Sequence, residues 1–213
     1  MIGVFGGTFD PVHYGHIKPA LSVKQALNLS CLLFIPNRLP PHREPPWLNV
    51  EQRLHLLKSA VENYHGVEVD ERELVREGPS YMVDTLLSLK ADYAEQKLCL
   101  ILGMDAFIGF PRWHKWHTIM QLAHIVVTQR PGFSIDEMAE YFEPKDEQFL
   151  KQRMTQDSST LVEEDSGKIL LQSVPQLDIS STMIRQKLLA GDDVSEWLPE
   201  QICQQLRGFV NES

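Results

Sequence analysis

The segment Ile2-Gly3-Val4-Phe5-Gly6-Gly7-Thr8-Phe9-Asp10-Pro11-Val12-His13-Tyr14-Gly15-His16 is an apolar run that breaks on two glycines and passes into a helical pattern. A short apolar run followed by a longer amphipathic stretch reads as a buried strand feeding a helix. The alternation recurs along the chain, with apolar runs at residues 2–5, 31–35, 67–69, 98–102, 124–128 and 169–174 and helical stretches between them. Strands that are apolar throughout must be covered on both faces, so the pattern predicts an α/β fold with a mainly parallel sheet and helices on both faces.

Two helix starts are marked. Asn49 with Gln52 three residues on forms a capping-box pattern, and Leu54, Leu57 and Val61 would then share one face. Pro79-Ser80 opens a second helix running through Leu86, Leu87 and Leu89. Residues 134–165 are strongly acidic and read as a solvated helical excursion. No linker or repeat divides the 213 residues, which predicts a single domain over residues 1–213 with a small helical C-terminal part at 180–213.

Composition narrows the partners. Twenty Lys and Arg against 29 Asp and Glu leave a net charge of −9, unsuited to general binding of nucleic acid or an anionic membrane surface. An anionic ligand must therefore be held locally. No apolar run approaches the ~18 residues of a membrane span. Cys31, Cys99 and Cys203 lack CxxC spacing and read as reduced thiols. Residues 1–5 show no basic segment ahead of a cleavable apolar core, which points to the cytoplasm.

The chemistry concentrates at two places. Gly6-Gly7 lets the backbone approach a ligand closely, and the helix that follows offers unpaired N–H groups and a partial positive charge, a combination suited to phosphate. The stretch is neither GxGxxG nor GxxxxGK[ST]. His13 and His16, three residues apart, would present two imidazole donors to the same anion. Zinc is the rival reading, without a third ligand at a known spacing. His114 and His117 repeat the spacing with no glycine loop, and spacing alone makes them structural. The second place is Asp178-Ile179-Ser180-Ser181-Thr182-Met183-Ile184-Arg185, at the start of a helix reaching to about Ala190. Its hydroxyls would serve as ordinary caps, but Arg185 one turn in makes a second anion site, with charge-assisted bonds of roughly 1.5–3 kcal/mol each.

These two segments resemble the HxGH and ISSTxIR signatures of the nucleotidylyltransferase superfamily. Pro36-Asn37, Pro40-Pro41-His42, Gly78-Pro79-Ser80-Tyr81, Gly103-Met104-Asp105, Pro111-Arg112-Trp113 and Arg130-Pro131-Gly132 resemble, more closely, the bacterial nicotinate mononucleotide adenylyltransferases, nearly end to end. The resemblance implies a Rossmann-like, doubly wound sheet with ATP across its C-terminal edge. It implies in-line attack of the 5′-phosphate of nicotinate mononucleotide on the α-phosphorus, giving deamido-NAD and pyrophosphate with no covalent intermediate.

In that scheme His13, His16 and Arg185 are catalytic, and the ATP-binding set is Gly6, Gly7, Thr8, Phe9, His13, His16, Gly103, Asp105, Ile179, Ser180, Ser181 and Arg185. Mg²⁺ arrives with ATP and keeps waters, since no protein metal site is evident. Asp10 reads equally as a turn residue. The pyridine nucleotide faces Asn37, His42, Tyr81, Met82, Thr85, Trp113 and His114, with the Trp113 indole on the pyridine ring. Met82 and His114 depart from the family pattern of threonine and an aromatic residue, which leaves the strictness of nicotinate selection open. Three alternatives stand beside this reading: another acceptor phosphate, such as nicotinamide mononucleotide or phosphopantetheine; a nucleotide sensor without turnover; and a zinc module on His13 and His16. Oligomeric state is open.

Overall fold

The apolar runs become six strands: β1 (Ile2–Gly7), β2 (Cys31–Pro36), β3 (Val67–Val69), β4 (Leu98–Gly103), β5 (His124–Gln129) and β7 (Ile169–Ser173). The computed structural model describes residues 1–38, 45–129, 142–175 and 177–211. A further strand, β6 (Met154–Thr155), lies inside the acidic stretch and is too short to carry a period legible in sequence. The sheet runs β3-β2-β1-β4-β5-β7-β6 with every pairing parallel. Strand order reverses between β1 and β4, and in an open parallel sheet such a reversal leaves a crevice at the carboxyl ends of those strands.

The helices are α1 (Tyr14–Ala26), α2 (Val50–Val61), α3 (Arg72–Val75), α4 (Met82–Asp92), α5 (Met104–Ile108), α6 (Trp116–Leu122), α7 (Pro144–Lys151), α8 (Thr160–Glu163), α9 (Ser181–Ala190) and α10 (Glu200–Asn211). Alternation along each strand divides the core. Leu32 and Phe34 pack with α1, α2 and α10 on one face, while Leu33 and Ile35 pack with α4 and α6 on the other. Helices thus cover both faces, as the all-apolar strands required.

The capping box forms as expected: the Asn49 side chain accepts from the Gln52 amide at 2.9 Å, and the Gln52 side chain accepts from the Asn49 amide at 3.0 Å. Leu57 and Val61 are buried, but Leu54 is half-buried, because the inward face is centred on Arg53, Leu56, Leu57 and Ala60. In α4, Leu86 and Leu89 are buried while Leu87 faces solvent. The acidic stretch is not purely helical: its described part, residues 142–165, forms α7, β6 and α8, and residues 134–141 lie outside the described residues. The three cysteines are free, and burial pushes the Cys99 thiol up to about 12. Among the described residues no helix is long and apolar enough to cross a membrane.

Candidate active site

The loop from β1 to α1 is built around two rings that need glycine beside them. Phe9 is buried and left-handed, with φ 50°. Its ring lies 5.9 Å from Phe5, 5.7 Å from Phe34 and 5.2 Å from His16, centroid to centroid. A Cβ on Gly7 would come within 2.9 Å of that ring, and one on Gly15 within 2.9 Å of the His13 imidazole. The glycines therefore make room for Phe9 and His13 in the protein itself. Gly6 approaches Met82, where a Cβ would lie 2.7 Å from the terminal methyl.

His13 caps α1 through its backbone, and its ring stacks on His16 at 3.8 Å between centroids and 26° between planes. Burial lowers the His13 imidazole to about 4. Burial, then the neighbouring His13, hold His16 well below its ordinary value. Both rings are consequently neutral at pH 7. Both Nδ1 atoms are buried and, among the described residues, have no hydrogen-bond partner. A bare lone pair is a less costly orphan than an N–H, which assigns the proton of each neutral ring to Nε2 and makes that atom a donor. The α1 terminus is less free than the sequence suggested, since the Tyr14 amide donates to the Trp197 carbonyl at 2.9 Å.

The second motif reaches this loop from the far end of the chain. Ser180 caps α9, its side chain accepting from the Met183 amide at 3.2 Å. The Ser181 hydroxyl donates to the Pro11 carbonyl at 3.1 Å. Arg185 donates to the Asp10 carbonyl at 2.6 Å, faces the Asp10 carboxylate at 3.4 Å and donates to the Thr182 hydroxyl at 3.2 Å. Ile179 stands beside Gly15, whose Cβ would lie 3.4 Å from that of Ile179. Asp10 also accepts from the Trp47 and Leu48 amides at 2.7 and 2.9 Å. It is thus a buried hub that joins three segments rather than a simple turn residue.

Of the remaining expected residues, Asn37 bonds to this loop, and the other described ones stand at the end of β4, at the head of α4 and in the stretch between α5 and α6. Asn37 follows β2, donates its amide to the Gly7 carbonyl at 3.0 Å, and donates through its side chain to the Thr8 hydroxyl at 3.2 Å. Gly103 ends β4 and caps α5, close to the exposed Asp105, whose carboxylate oxygen would be 2.8 Å from a Cβ on Gly103. Tyr81 caps α4 with its ring 4.5 Å from His114. Trp113 is half-buried and packs edge-on to Phe110 at 5.6 Å. Thr85 differs from these residues: it is fully buried and its hydroxyl donates to Glu73 at 2.6 Å, so that side chain is committed behind the site. His42 lies outside the described residues. Among the described residues no three His, Cys, Asp or Glu side chains gather as metal ligands.

The Cytidylyltransferase-like family model matches residues 4–187. The "Probable nicotinate-nucleotide adenylyltransferase" of Halorhodospira halophila is 44% identical over 96% of this chain and 92% of its own length. The protein of the same name from Aeromonas salmonicida is 38% identical over 97% of this chain and 94% of its own length. The chain belongs to the nicotinate-nucleotide adenylyltransferase family. Nicotinic acid mononucleotide adenylyltransferase of Plasmodium falciparum, solved in complex with NaAD, shares the fold of this adenylyltransferase, with a TM-score of 0.70 over 98% of this chain and 95% of that one at 15% identity.

Several residues that organise this family member escape sequence reading. Arg53 is 1% exposed and donates to the Thr8 carbonyl at 2.7 Å and the Asn37 carbonyl at 2.9 Å. Burial draws its guanidinium below the ordinary value, and the Asp10 carboxylate opposes that. Burial likewise raises the Glu73 carboxyl. The only available signal for Arg53 was its place between Gln52 and Leu54, one residue past the capping box. His124, buried in β5, accepts from the Lys168 amide on Nδ1 and so donates from Nε2 to the Glu164 carbonyl, a structural role.

Proposed function

We propose that this adenylyltransferase moves the adenylyl group of ATP onto the 5′-phosphate of nicotinate mononucleotide, giving deamido-NAD and pyrophosphate in NAD biosynthesis. The observation that carries the reading is that Ser181 and Arg185, about 170 residues along the chain, bond to Pro11 and Asp10 in the same loop that leads to the stacked His13–His16 pair. Two neutral donors, a helix start and a guanidinium gathered on one loop suit a polyphosphate. The whole chain acts as one nucleotidylyltransferase domain, because neither end holds that site alone.

The attack is direct and in line. No side chain serves as nucleophile; the acceptor is the substrate phosphate, so catalysis rests on positioning and on stabilising charge. His13 and His16 donate to the triphosphate from Nε2. Arg185 exchanges its contact with Asp10 for the leaving phosphates, assisted by Ser180 and Ser181. Gly6, Gly7, Thr8, Phe9 and Ile179 line the nucleotide, while Gly103 and Asp105 face the ribose hydroxyls. Asn37, Tyr81, Met82, Trp113 and His114 receive the pyridine nucleotide, with Thr85 supporting them from behind and His42 in the segment between β2 and α2. Mg²⁺ enters as part of the ATP substrate. The free thiols fit a reducing compartment, the cytoplasm.

The test is pyrophosphate release with ATP, Mg²⁺ and, separately, nicotinate mononucleotide, nicotinamide mononucleotide or phosphopantetheine. Release with nicotinate mononucleotide alone supports the reading and shows that Met82 and His114 leave carboxylate selection intact. Equal rates with both pyridine nucleotides mean relaxed selection, and release with phosphopantetheine alone overturns the proposal.

A further inference from the structure

Arg53 is the largest fully buried side chain outside the reacting cluster, and its chemistry is unusual for a core position. Its Nε is buried and, among the described residues, unpartnered. A buried guanidinium with one N–H unmet is a costly way to fill space, and an apolar side chain of similar size would avoid that desolvation. Its Nη1 and Nη2 each donate to one backbone carbonyl, and those carbonyls belong to different loops.

Thr8 lies in the loop after β1, which carries the glycines and leads to the histidine pair. Asn37 lies just past β2, and in the sheet Gly7 pairs with Pro36, so both loops leave adjacent strands at the same level. The planar fork of a guanidinium fixes two acceptors at a set separation and angle, which a flexible ammonium does not do. The fork itself is held in place, because the Asn49–Gln52 capping box sets the first turn of α2 immediately before Arg53. A side-chain bond from Asn37 to the Thr8 hydroxyl closes the same junction from above.

We propose that Arg53 is a positioning residue that clamps the ATP loop to the pyridine-nucleotide loop and thereby sets the approach of the acceptor phosphate to the α-phosphorus. The inference rests on the adenylyl-transfer reading for its kinetic part and on the fold alone for its structural part. Each loop still binds its own substrate without the clamp; what is lost is their relative alignment. A misplacement on the order of 1 Å costs about 10²-fold in rate.

Arg53→Met and Arg53→Lys are compared with the wild-type chain in three measurements: pyrophosphate release, equilibrium binding of a non-hydrolysable ATP analogue and of nicotinate mononucleotide taken singly, and backbone amide exchange. Arg53→Met is expected to lower kcat by about 10²-fold while each single affinity shifts by no more than about threefold, with Arg53→Lys intermediate. The Asn37 amide, bonded to the Gly7 carbonyl, is expected to exchange faster in both variants while the amides of α2 keep wild-type protection. If Arg53→Met fails to fold, Arg53→Lys carries the same comparison. Unchanged kcat, or a fall in both single affinities that accounts for the lost turnover, overturns the clamp. Should the wild-type chain release no pyrophosphate, the substrate reading falls, and unchanged exchange at Asn37 in the variants still overturns the clamp independently.

Discussion

The buried histidine at the head of α1 makes stability depend on pH in a direction that can be computed. His13 titrates near 6.5 when the chain is unfolded and at about 4 when folded, and burial is the cause. A base whose folded value is lowered binds fewer protons in the native state, so its contribution is complete above the unfolded value and is lost as pH falls towards the folded one. The gap between 6.5 and about 4 corresponds to about 3 kcal/mol in full, of which about 2 kcal/mol is lost between pH 7 and pH 5. The perturbation is His13→Asn, which removes the titrating ring and keeps a polar side chain of smaller size. Urea unfolding at pH 7, 6 and 5 is the assay, with and without the substitution. The wild-type chain should lose about 2 kcal/mol more than the variant over that range. His16 is lowered first by burial, which both chains share, and then by His13, so removing His13 widens the difference in the same direction. Equal losses in the two proteins would falsify the argument that His13 is held neutral by burial.

Three further outcomes follow from the site. His16→Ala should lower turnover by about 10²-fold or more, as removal of a donor to transition-state charge does, and near-normal pyrophosphate release from the folded variant would contradict that role. Trp113→Ala should raise KM for nicotinate mononucleotide and leave KM for ATP nearly unchanged; the reverse pattern in steady-state kinetics would remove the indole from the pyridine site. Gly15→Ala places a methyl 2.9 Å from the His13 ring, so turnover should fall as that ring is displaced, and retained activity would show that the His13–His16 stack tolerates a shift.

Much of this molecule is legible along the chain, and the reason is period. Short apolar runs set between helical stretches read as buried strands, so β1, β2, β4, β5 and β7 stand where the sequence places them, and β3, with the exposed Glu68 between Val67 and Val69, is an edge strand. Capping chemistry is equally local: Asn49 and Gln52 mark the start of α2, and the Ser180-Ser181 pair with Gly191 in the left-handed conformation brackets α9. The residues proposed to carry the chemistry are also visible, because a glycine pair before two histidines and a hydroxyl run before an arginine are short-range patterns.

Other features have no local signature. β6 spans two residues and exists only because the edge of β7 accepts it. Thr85 looks like a site residue by its position after Tyr81, and turns inward because Glu73 offers a buried acceptor. Asp10 and Arg53 acquire their roles from partners distant in the chain, namely the Trp47 and Leu48 amides, Arg185, and the carbonyls of Thr8 and Asn37. Six of the seven described strands, the start of α2 and the two anion motifs follow from the residues alone, since periodicity and capping depend on neighbours within a turn or two. Assembly of the fold brings those motifs to one loop, leaves the paired histidines neutral and sets a buried arginine between two loops. Those properties depend on which distant groups exclude water from one another, and that is settled when the parallel strands assemble around the β1–β4 crevice.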